Sequence, residues 1–361
     1  MIRPIAQVAQ MAPYALADLT APEGTRLVSL AQNESLRGPS QQAIAAAAEA
    51  LHAAHLYPDP DWTALRGTLA ALHGVAQEAI LCGSGSLDLI GCIARTYLSP
   101  GDAALAPAHA YPFFATATQL TGARFDHAPE RDLHGDVDAL LAAVRPETRI
   151  VFFANPANPT GTRLPRSEIL RLRDRLRGDI LLVLDEAYGE FADHLGEPMF
   201  DLVDRGDTIV LRTFSKAYGL AAARVGWGVF PKAVAGEVRK TLNPNNVSSA
   251  SQAAALAAAR DQAWMRETCA QTVSIRDGFA ERMRDAGFRC PPSFTNFVLI
   301  PFASDAAARE GDAHLKSHGV FLRAQSGAGL SHCLRATTGR AEDMDLAADL
   351  LESWAKRRAE T

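Results

Sequence analysis

Short apolar runs alternate with helix-like stretches through the middle of the chain. Six such runs lie between residues 79 and 230: Ala79–Cys82, Ala103–Ala106, Ile150–Ala154, Ile180–Leu184, Ile209–Leu211 and Val225–Phe230. Continuous apolar runs of this length are typical of strands that are covered on both faces, because a strand with one wet face alternates apolar and polar residues. The pattern predicts an α/β fold whose large domain has a mostly parallel central sheet.

The pattern changes after about residue 250. A long helical region is followed by three short strand-like runs, Asn296–Ile300, Val320–Arg323 and Cys333–Ala336, with helical patterns from about residues 304 and 341. This mixture predicts a smaller α+β domain. The first forty residues have no sheet pattern of their own, so we expect them to fold onto it. We therefore predict a large domain at 41–249, and a small domain formed by an N-terminal arm, 1–40, together with 250–361.

Composition narrows the class of protein. Apolar residues make up 48% of the 361 residues and the net charge is −5, so the chain has no basic field that would attract nucleic acid or an anionic membrane. Neither a signal peptide nor an apolar run of about 18 residues is present, so we expect no membrane span. The five cysteines form no Cys-x-x-Cys pair. They predict reduced thiols in a cytoplasmic protein without a metal site.

Polar residues follow three neighbouring apolar runs at the points where the predicted strands end. These polar segments are Asn155–Gly161, Asp185–Tyr188 and Thr213–Lys216. In a parallel sheet the carboxyl ends of the strands meet at one edge, where ligands bind. Each motif alone has an ordinary explanation as a turn, a helix cap or a surface pair. Their occurrence at successive strand ends favours one shared site.

A glycine-rich turn, Gly83–Ser86, follows the first apolar run and precedes a helical pattern. Amides at the start of a helix bind phosphate. The turn is a poor dinucleotide fingerprint, because Asp88 stands where a third glycine is needed. A lone turn of this kind is often only structural, but the Ser215 hydroxyl and the Arg224 guanidinium are suited to complete a phosphate site with it.

These motifs resemble those of the fold-type-I, class I/II aminotransferases that depend on pyridoxal phosphate. The motifs are Asn155 to Gly161, Asp185 to Phe191, Ser215-Lys216 and Arg224-Val225-Gly226. Within that family the sequence is similar to the histidinol-phosphate aminotransferase branch. The stretch Asn33–Ser40 and the spacing of Arg323 and Arg335 favour this branch, and the resemblance includes the Tyr57-Pro58-Asp59 motif.

The resemblance implies roles for individual residues around a bound pyridoxal phosphate. Lys216 would hold the cofactor as a Schiff base and then move the proton during the reaction. Asp185 would pair with the ring nitrogen, while Asn158 and Tyr188 would bind the phenolic oxygen. Tyr111 would stack on the ring. The catalytic residues would therefore be Lys216, Asp185 and Tyr188.

The resemblance also implies the groups that hold the anionic ends of the cofactor and the substrate. Four residues would bind the cofactor phosphate: Gly85, Ser86, Ser215 and Arg224. Tyr57 would reach the phosphate in a neighbouring subunit, which implies a homodimer with shared active sites. The substrate-binding residues would be Arg335, Arg323 and Asn33, although a plain salt bridge is an alternative for Arg323. Arginine suits this role because its planar fork meets carboxylate or phosphate oxygens in two parallel bonds.

Several functions stay open on the sequence. The leading hypothesis is an aminotransferase that moves an amino group between histidinol phosphate and 2-oxoglutarate or glutamate. An aromatic amino acid aminotransferase, or a lyase resembling threonine-phosphate decarboxylase, would use the same lysine and aspartate. A non-catalytic binding protein, or a nucleotide-binding protein that uses the Gly83 turn, is a hypothesis from another class. A non-catalytic protein would have no need of the four residues expected to bind the cofactor, Lys216, Asp185, Asn158 and Arg224, and all four are present.

Overall fold

The computed structural model describes residues 2–9, 11, 19–196 and 198–359. Its α-helices are α1 (Ala6–Ala9), α2 (Gln41–Ala50), α3 (Thr63–His73), α4 (Ser86–Tyr97), α5 (Pro112–Leu120), α6 (Val137–Ala143), α7 (Arg166–Arg175), α8 (Lys232–Arg239), α9 (Ser249–Arg260), α10 (Gln262–Asp285), α11 (Asp305–Ser317) and α12 (Ala341–Ala359). Within these described ranges, no helix is both long enough and apolar enough to span a membrane.

The strands occur in two groups along the chain. The first group is β1 (Val28–Ser29), β2 (Ile80–Gly83), β3 (Ala103–Pro107), β4 (Arg124–Ala128), β5 (Glu130–Arg131), β6 (His134–Gly135), β7 (Thr148–Ala154), β8 (Leu181–Asp185), β9 (Thr208–Thr213) and β10 (Gly226–Val229). The second is β11 (Phe297–Pro301), β12 (Val320–Phe321), β13 (Arg323–Gln325) and β14 (Leu330–Thr337). The run predicted at Val320–Arg323 is thus divided between two short strands.

The central sheet has seven strands in the order β2-β10-β9-β8-β7-β3-β4. β10 is antiparallel to both of its neighbours, whereas the other pairs are parallel. All six apolar runs form strands of this sheet, which confirms the predicted fold class. The edge strand β4 is not apparent in the sequence, because Arg124 and His127 are exposed and interrupt its apolar character.

The register of the sheet brings the predicted polar segments together. Ala154 at the end of β7 is paired with Asp185 at the end of β8, and Asp185 is paired with Leu211 in β9. The three strands are parallel, so their carboxyl ends lie side by side. The segments that begin at Asn155, Asp185 and Thr213 therefore emerge at the same edge of the sheet.

A second core is built on the three-stranded sheet β11-β14-β13. It buries side chains from helices α10, α11 and α12, and also Val28 and Leu30 from the N-terminal segment. β1 pairs with β12, so that Val28 lies opposite Val320. Each large apolar side chain buried in this way contributes about 1.5–3 kcal/mol. The N-terminal segment is therefore fixed to the second core shortly before it reaches residue 31.

The division of the chain into domains near residue 250 stays a prediction. Helix α9 contributes its buried alanines to the same core as the central sheet, where it packs against α2. The helices and strands from 297 onward surround the second core. Residues 1, 10 and 12–18 of the predicted N-terminal arm, and 360–361, lie outside the described residues.

Candidate active site

Lys216 follows β9 and carries a desolvated amine. Its Nζ donates a hydrogen bond to the Asn33 carbonyl oxygen at 2.9 Å. Burial lowers the pKa of Lys216 to about 8, and the positive charges of Arg335 and Arg224 act in the same direction. Since an ammonium must lose its proton before it acts as a base or a nucleophile, this shift makes the neutral amine accessible near neutral pH.

Asp185 is the last residue of β8 and is only 5% exposed. Burial raises the pKa of its carboxyl group to about 6, and the negative charge of Glu186 acts in the same direction. The backbone amide of Ala187, which donates to Asp185 Oδ1 at 3.1 Å, opposes this shift. The side chain is therefore an anion above about pH 6 and is suited to pair with a buried cationic ring nitrogen.

Tyr188 is held by a residue from the N-terminal segment. Asn33 Nδ2 donates to the Tyr188 hydroxyl at 2.8 Å, and the ring packs edge-on against Phe297 at 5.3 Å between centroids. Burial raises the pKa of Tyr188 to about 12. The phenol therefore keeps its proton. Because the hydroxyl oxygen accepts from Asn33, that proton can be donated to a ligand.

Arg335 lies in β14 and is largely buried. Its Nη1 donates to Asn158 Oδ1 at 2.6 Å, and its Nη2 donates to the Ala31 carbonyl at 3.1 Å. Arg323 in β13 stands directly opposite Arg335 in the antiparallel register. Directly opposite residues share a face of a sheet, so the structure places both predicted substrate-binding arginines on the same face.

The glycine-rich turn, Ser215 and Arg224 meet at the start of helix α4. Arg224 Nη1 donates to Ser215 Oγ at 3.4 Å. The Arg224 guanidinium lies against Gly85, where a Cβ atom would contact Arg224 Nη2. Gly85 also has a φ of +86°, which favours glycine. Helix amides beginning at Ser86, a hydroxyl and a guanidinium form a donor set that fits the phosphate of the cofactor implied by the resemblance.

Tyr111 and Tyr57 differ in their relation to these residues. Tyr111 precedes helix α5, is half-buried and packs edge-on against Phe114 at 5.8 Å between centroids. Tyr57 lies in the connection after α2 and is 88% exposed. It is therefore not packed into the site of its own chain.

Asn246 was not predicted to hold the glycine-rich turn. Its Nδ2 donates to the Cys82 carbonyl at 3.1 Å and to Asp88 Oδ2 at 3.2 Å, while its backbone carbonyl accepts from the Ser84 hydroxyl. Asp88 Oδ2 also accepts from the Ser84 amide at 3.0 Å. Asn246 and Asp88 thus hold the glycine-rich turn in place through hydrogen bonds to Cys82 and Ser84. No local pattern predicts this contact, because Asn246 is about 160 residues away from Cys82 and Asp88 along the chain.

A buried group of charges lies behind Asp185 and was also missed. Arg212, which is 1% exposed, contacts Glu186 at 2.7 Å, Asp193 at 3.0 Å and Glu190 at 3.4 Å. Glu186 directly follows Asp185 at the end of β8, and its backbone amide donates to the Leu211 carbonyl in β9. The ion pair therefore anchors the chain immediately after the Asp185 carboxylate. Removing one partner of such a buried pair typically costs about 3–5 kcal/mol.

Comparison with known proteins extends the similarity over nearly the whole chain. Residues 25–351 match the family model of the class I and II aminotransferases. A histidinol-phosphate aminotransferase of Jannaschia sp. is 41% identical over 317 residues, which cover 88% of each chain. The one from Paramagnetospirillum magneticum is 41% identical over 335 residues, 91% of this chain and 92% of the relative.

A solved structure is similar over the same extent. The histidinol-phosphate aminotransferase from Sinorhizobium meliloti, in complex with pyridoxal-5'-phosphate, superposes with a TM-score of 0.92 at 32% sequence identity. The match covers 99% of this chain and 98% of that chain. The agreement thus involves both cores and the N-terminal segment, in addition to the motifs of the site.

Proposed function

The chain belongs to the class I and II aminotransferases, and we propose that it uses pyridoxal phosphate to move the amino group of histidinol phosphate to 2-oxoglutarate. The observation that carries this proposal is that a desolvated lysine and a buried carboxylate lie at the carboxyl edge of the central sheet, where a buried arginine from β14 reaches Asn158. Relatives that share 41% of their residues with this chain are histidinol-phosphate aminotransferases. Their substrate supports the choice of amino donor.

The side chains of the site match the functional groups of pyridoxal phosphate. When bound, the cofactor supplies an electron sink for the negative charge that develops at the substrate carbon. Asp185 would stabilise a proton on the ring nitrogen, and Tyr188 would donate to the phenolic oxygen. Asn158 donates there as well, since Arg335 occupies its Oδ1 and leaves its NH₂ available. Lys216 would hold the cofactor and would move a proton to and from the substrate.

The remaining groups hold the cofactor in place. We assign its phosphate to the turn at Gly85 and Ser86, to the Ser215 hydroxyl and to Arg224, which lie together in the structure. We assign stacking on the ring to Tyr111, which stands half-buried at the end of the loop after β3. These groups orient the cofactor and leave the proton transfer to Lys216.

Replacing each of the two arginines separately is expected to show which one binds every amino donor and which one recognises the phosphate group of histidinol phosphate. Arg335→Ala should lower kcat/KM for every amino donor, because the guanidinium next to Asn158 is lost. Arg323→Ala should lower kcat/KM mainly for histidinol phosphate, by about ten- to a hundredfold, since a charge-assisted hydrogen bond is worth about 1.5–3 kcal/mol. The measurement is kcat/KM for histidinol phosphate and phenylalanine in both variants.

The same measurement, together with an assay for carbon dioxide release, distinguishes the competing functions. An equal loss for both donors in Arg323→Ala would show that Arg323 does not recognise phosphate, and would favour an aromatic amino acid aminotransferase. Release of carbon dioxide from threonine phosphate, without formation of glutamate, would indicate a lyase. Arg340→Ala is a suitable control, because this arginine is exposed and its side chain is 74% accessible.

A second copy of the chain is part of the proposed enzyme. Four large apolar side chains of the segment 44–57 are exposed: Ile44, Leu51, Leu56 and Tyr57. Exposed apolar side chains concentrated in one segment are typical of an interface. We propose a homodimer in which this segment is covered by the partner and Tyr57 donates to the cofactor phosphate in the other subunit's site.

Hybrid dimers test whether Tyr57 acts across the interface. Subunits carrying Tyr57→Phe are mixed with subunits carrying Lys216→Ala. If Tyr57 serves the other subunit, one site of each hybrid has both changes and the other has neither. The expected result is activity per hybrid of about half the wild-type value, measured on heterodimers separated by two affinity tags. Activity no higher than that of the Tyr57→Phe homodimer would show that Tyr57 acts within its own subunit.

A cytoplasmic location remains a prediction. The five cysteines are all free and buried in the structure. Free thiols are the rule in reducing compartments, where disulfides are rare. This state of the cysteines supports a cytoplasmic enzyme.

A further inference from the structure

The segment 31–34 contacts several residues of the site although it lies far from them in sequence. The Ala31 carbonyl accepts from Arg335, and the Asn33 side chain donates to Tyr188. The Asn33 carbonyl accepts from Lys216 Nζ at 2.9 Å. One short segment therefore contacts the groups proposed to bind the substrate anion, to bind the cofactor and to move the proton.

The direction of the Asn33 carbonyl depends on an unusual backbone conformation. Asn33 has a φ of +55°, which lies in the left-handed region. Asparagine tolerates this region better than most residues other than glycine. The side chain is fixed as well, because its Nδ2 donates to the Tyr188 hydroxyl and its Oδ1 accepts from Thr337 Oγ1 at 3.1 Å. The Asn33 amide donates to the same Thr337 hydroxyl at 2.8 Å.

Asn296 supports the same carbonyl from the second core. It precedes β11 and is 1% exposed. Its Nδ2 donates to the carbonyl oxygens of Asn33 at 3.2 Å and Glu34 at 2.9 Å. Its own carbonyl accepts from the Thr338 amide at 2.8 Å. Asn296 therefore fixes two consecutive peptide groups of the segment to the end of β14.

We propose that the Lys216 amine donates a hydrogen bond to the Asn33 carbonyl whenever it is not bonded to the cofactor. Asn33 and Asn296 are positioning residues that hold this carbonyl in place. A carbonyl oxygen can only accept hydrogen bonds. It therefore takes an N–H of Lys216 and leaves the lone pair of the neutral amine directed elsewhere, available for a proton from the substrate. The proposal rests on the proposed role of Lys216 as the group that moves this proton.

Two substitutions at Asn33 distinguish the contribution of its backbone carbonyl from that of its side chain. Asn33→Gly removes the amide but allows the left-handed conformation, whereas Asn33→Ala removes the amide and also disfavours that conformation. The alanine variant should lower the pKa of Lys216 below its value in wild type, since an ammonium loses an acceptor, and should lower kcat about tenfold more than the glycine variant. Asn296→Ala should shift the pKa in the same direction by a smaller amount.

The pKa of Lys216 is measured on the full-length chain without cofactor, from the pH dependence of its modification by trinitrobenzenesulfonate. The modified lysine is identified on its peptide by mass spectrometry. Four charged groups act on Lys216, namely Arg335, Glu34, Arg224 and Asp185, and all variants keep them. Thr272→Ala is the matched control, because Thr272 is a buried polar residue whose hydroxyl bonds to Thr268 within its own helix. It tests for a general effect of lost stability.

The outcomes distinguish this inference from the proposed function. A Lys216 pKa and a kcat that are lower in Asn33→Ala than in Asn33→Gly, with Thr272→Ala like wild type, support the inference. An unchanged Lys216 pKa in folded Asn33→Ala and Asn296→Ala would overturn it, even in a fully active wild-type enzyme. Absence of any amino transfer by the wild-type enzyme would instead contradict the proposed function.

Discussion

Replacing Lys216 by alanine is expected to abolish turnover while cofactor binding persists. The phosphate-binding groups and Asp185 remain in place, but the amine that binds the cofactor and moves the proton is lost. Proton transfer by a positioned side chain contributes about 10²–10⁴-fold, and the covalent attachment is lost in addition. We therefore expect kcat to fall by more than about 10⁴-fold.

Glutamate formation from 2-oxoglutarate and histidinol phosphate measures this loss, and equilibrium dialysis measures the retained cofactor. Lys240→Ala provides the control, because Lys240 is an exposed lysine that pairs with Glu237. A Lys216→Ala protein that turns over at a rate near that of the control would refute the assignment of Lys216.

Asp185→Asn should have the second largest effect. The variant keeps the shape of the side chain but loses the negative charge that stabilises a proton on the ring nitrogen. A neutral ring is a weaker electron sink, so proton abstraction from the substrate should slow by at least about 10²-fold, comparable to the loss of one electrostatic contact at a transition state. Cofactor affinity should change much less, because the phosphate-binding groups are unaltered.

Single-turnover absorbance measurements with saturating histidinol phosphate report the rate of proton abstraction in Asp185→Asn. Asp179→Asn is a useful comparison, since Asp179 is an aspartate on the surface that pairs with Arg149 and Arg177. Near-wild-type single-turnover rates in Asp185→Asn would remove Asp185 from its proposed role.

The central sheet was predictable because its strands are buried on both faces. The runs that end at Ala154, Leu184 and Leu211 stand out as apolar, and the polar residues after them mark the edge where the site lies. Strands that are short or lie at an edge give no such signal. β1 has only two residues, and β4 carries exposed polar side chains. β1 also depends on pairing with β12, nearly 300 residues further along the chain.

The contacts that support the site were harder to predict than its functional groups. Asn33 and Thr337 interact across 304 positions of sequence, and Asn296 reaches the same segment from the second core. Arg212 directly follows the apolar run Ile209–Leu211, where a charged residue suggests a solvent-facing side chain rather than a buried ion pair. Local sequence patterns indicate which residues have functional side chains. The hydrogen bonds that support those side chains depend on how the two cores pack together.

The most direct test of the account is to identify the lysine that carries the cofactor. The chain contains five lysines, Lys216, Lys232, Lys240, Lys316 and Lys356, so the assignment is unambiguous. The cofactor-loaded protein is treated with borohydride, digested and analysed by peptide mass spectrometry. We predict a single modified peptide, with the reduced pyridoxal phosphate attached to Lys216. Attachment to any of the other four lysines, or recovery of only unmodified peptides from protein that visibly binds the cofactor, would contradict the account.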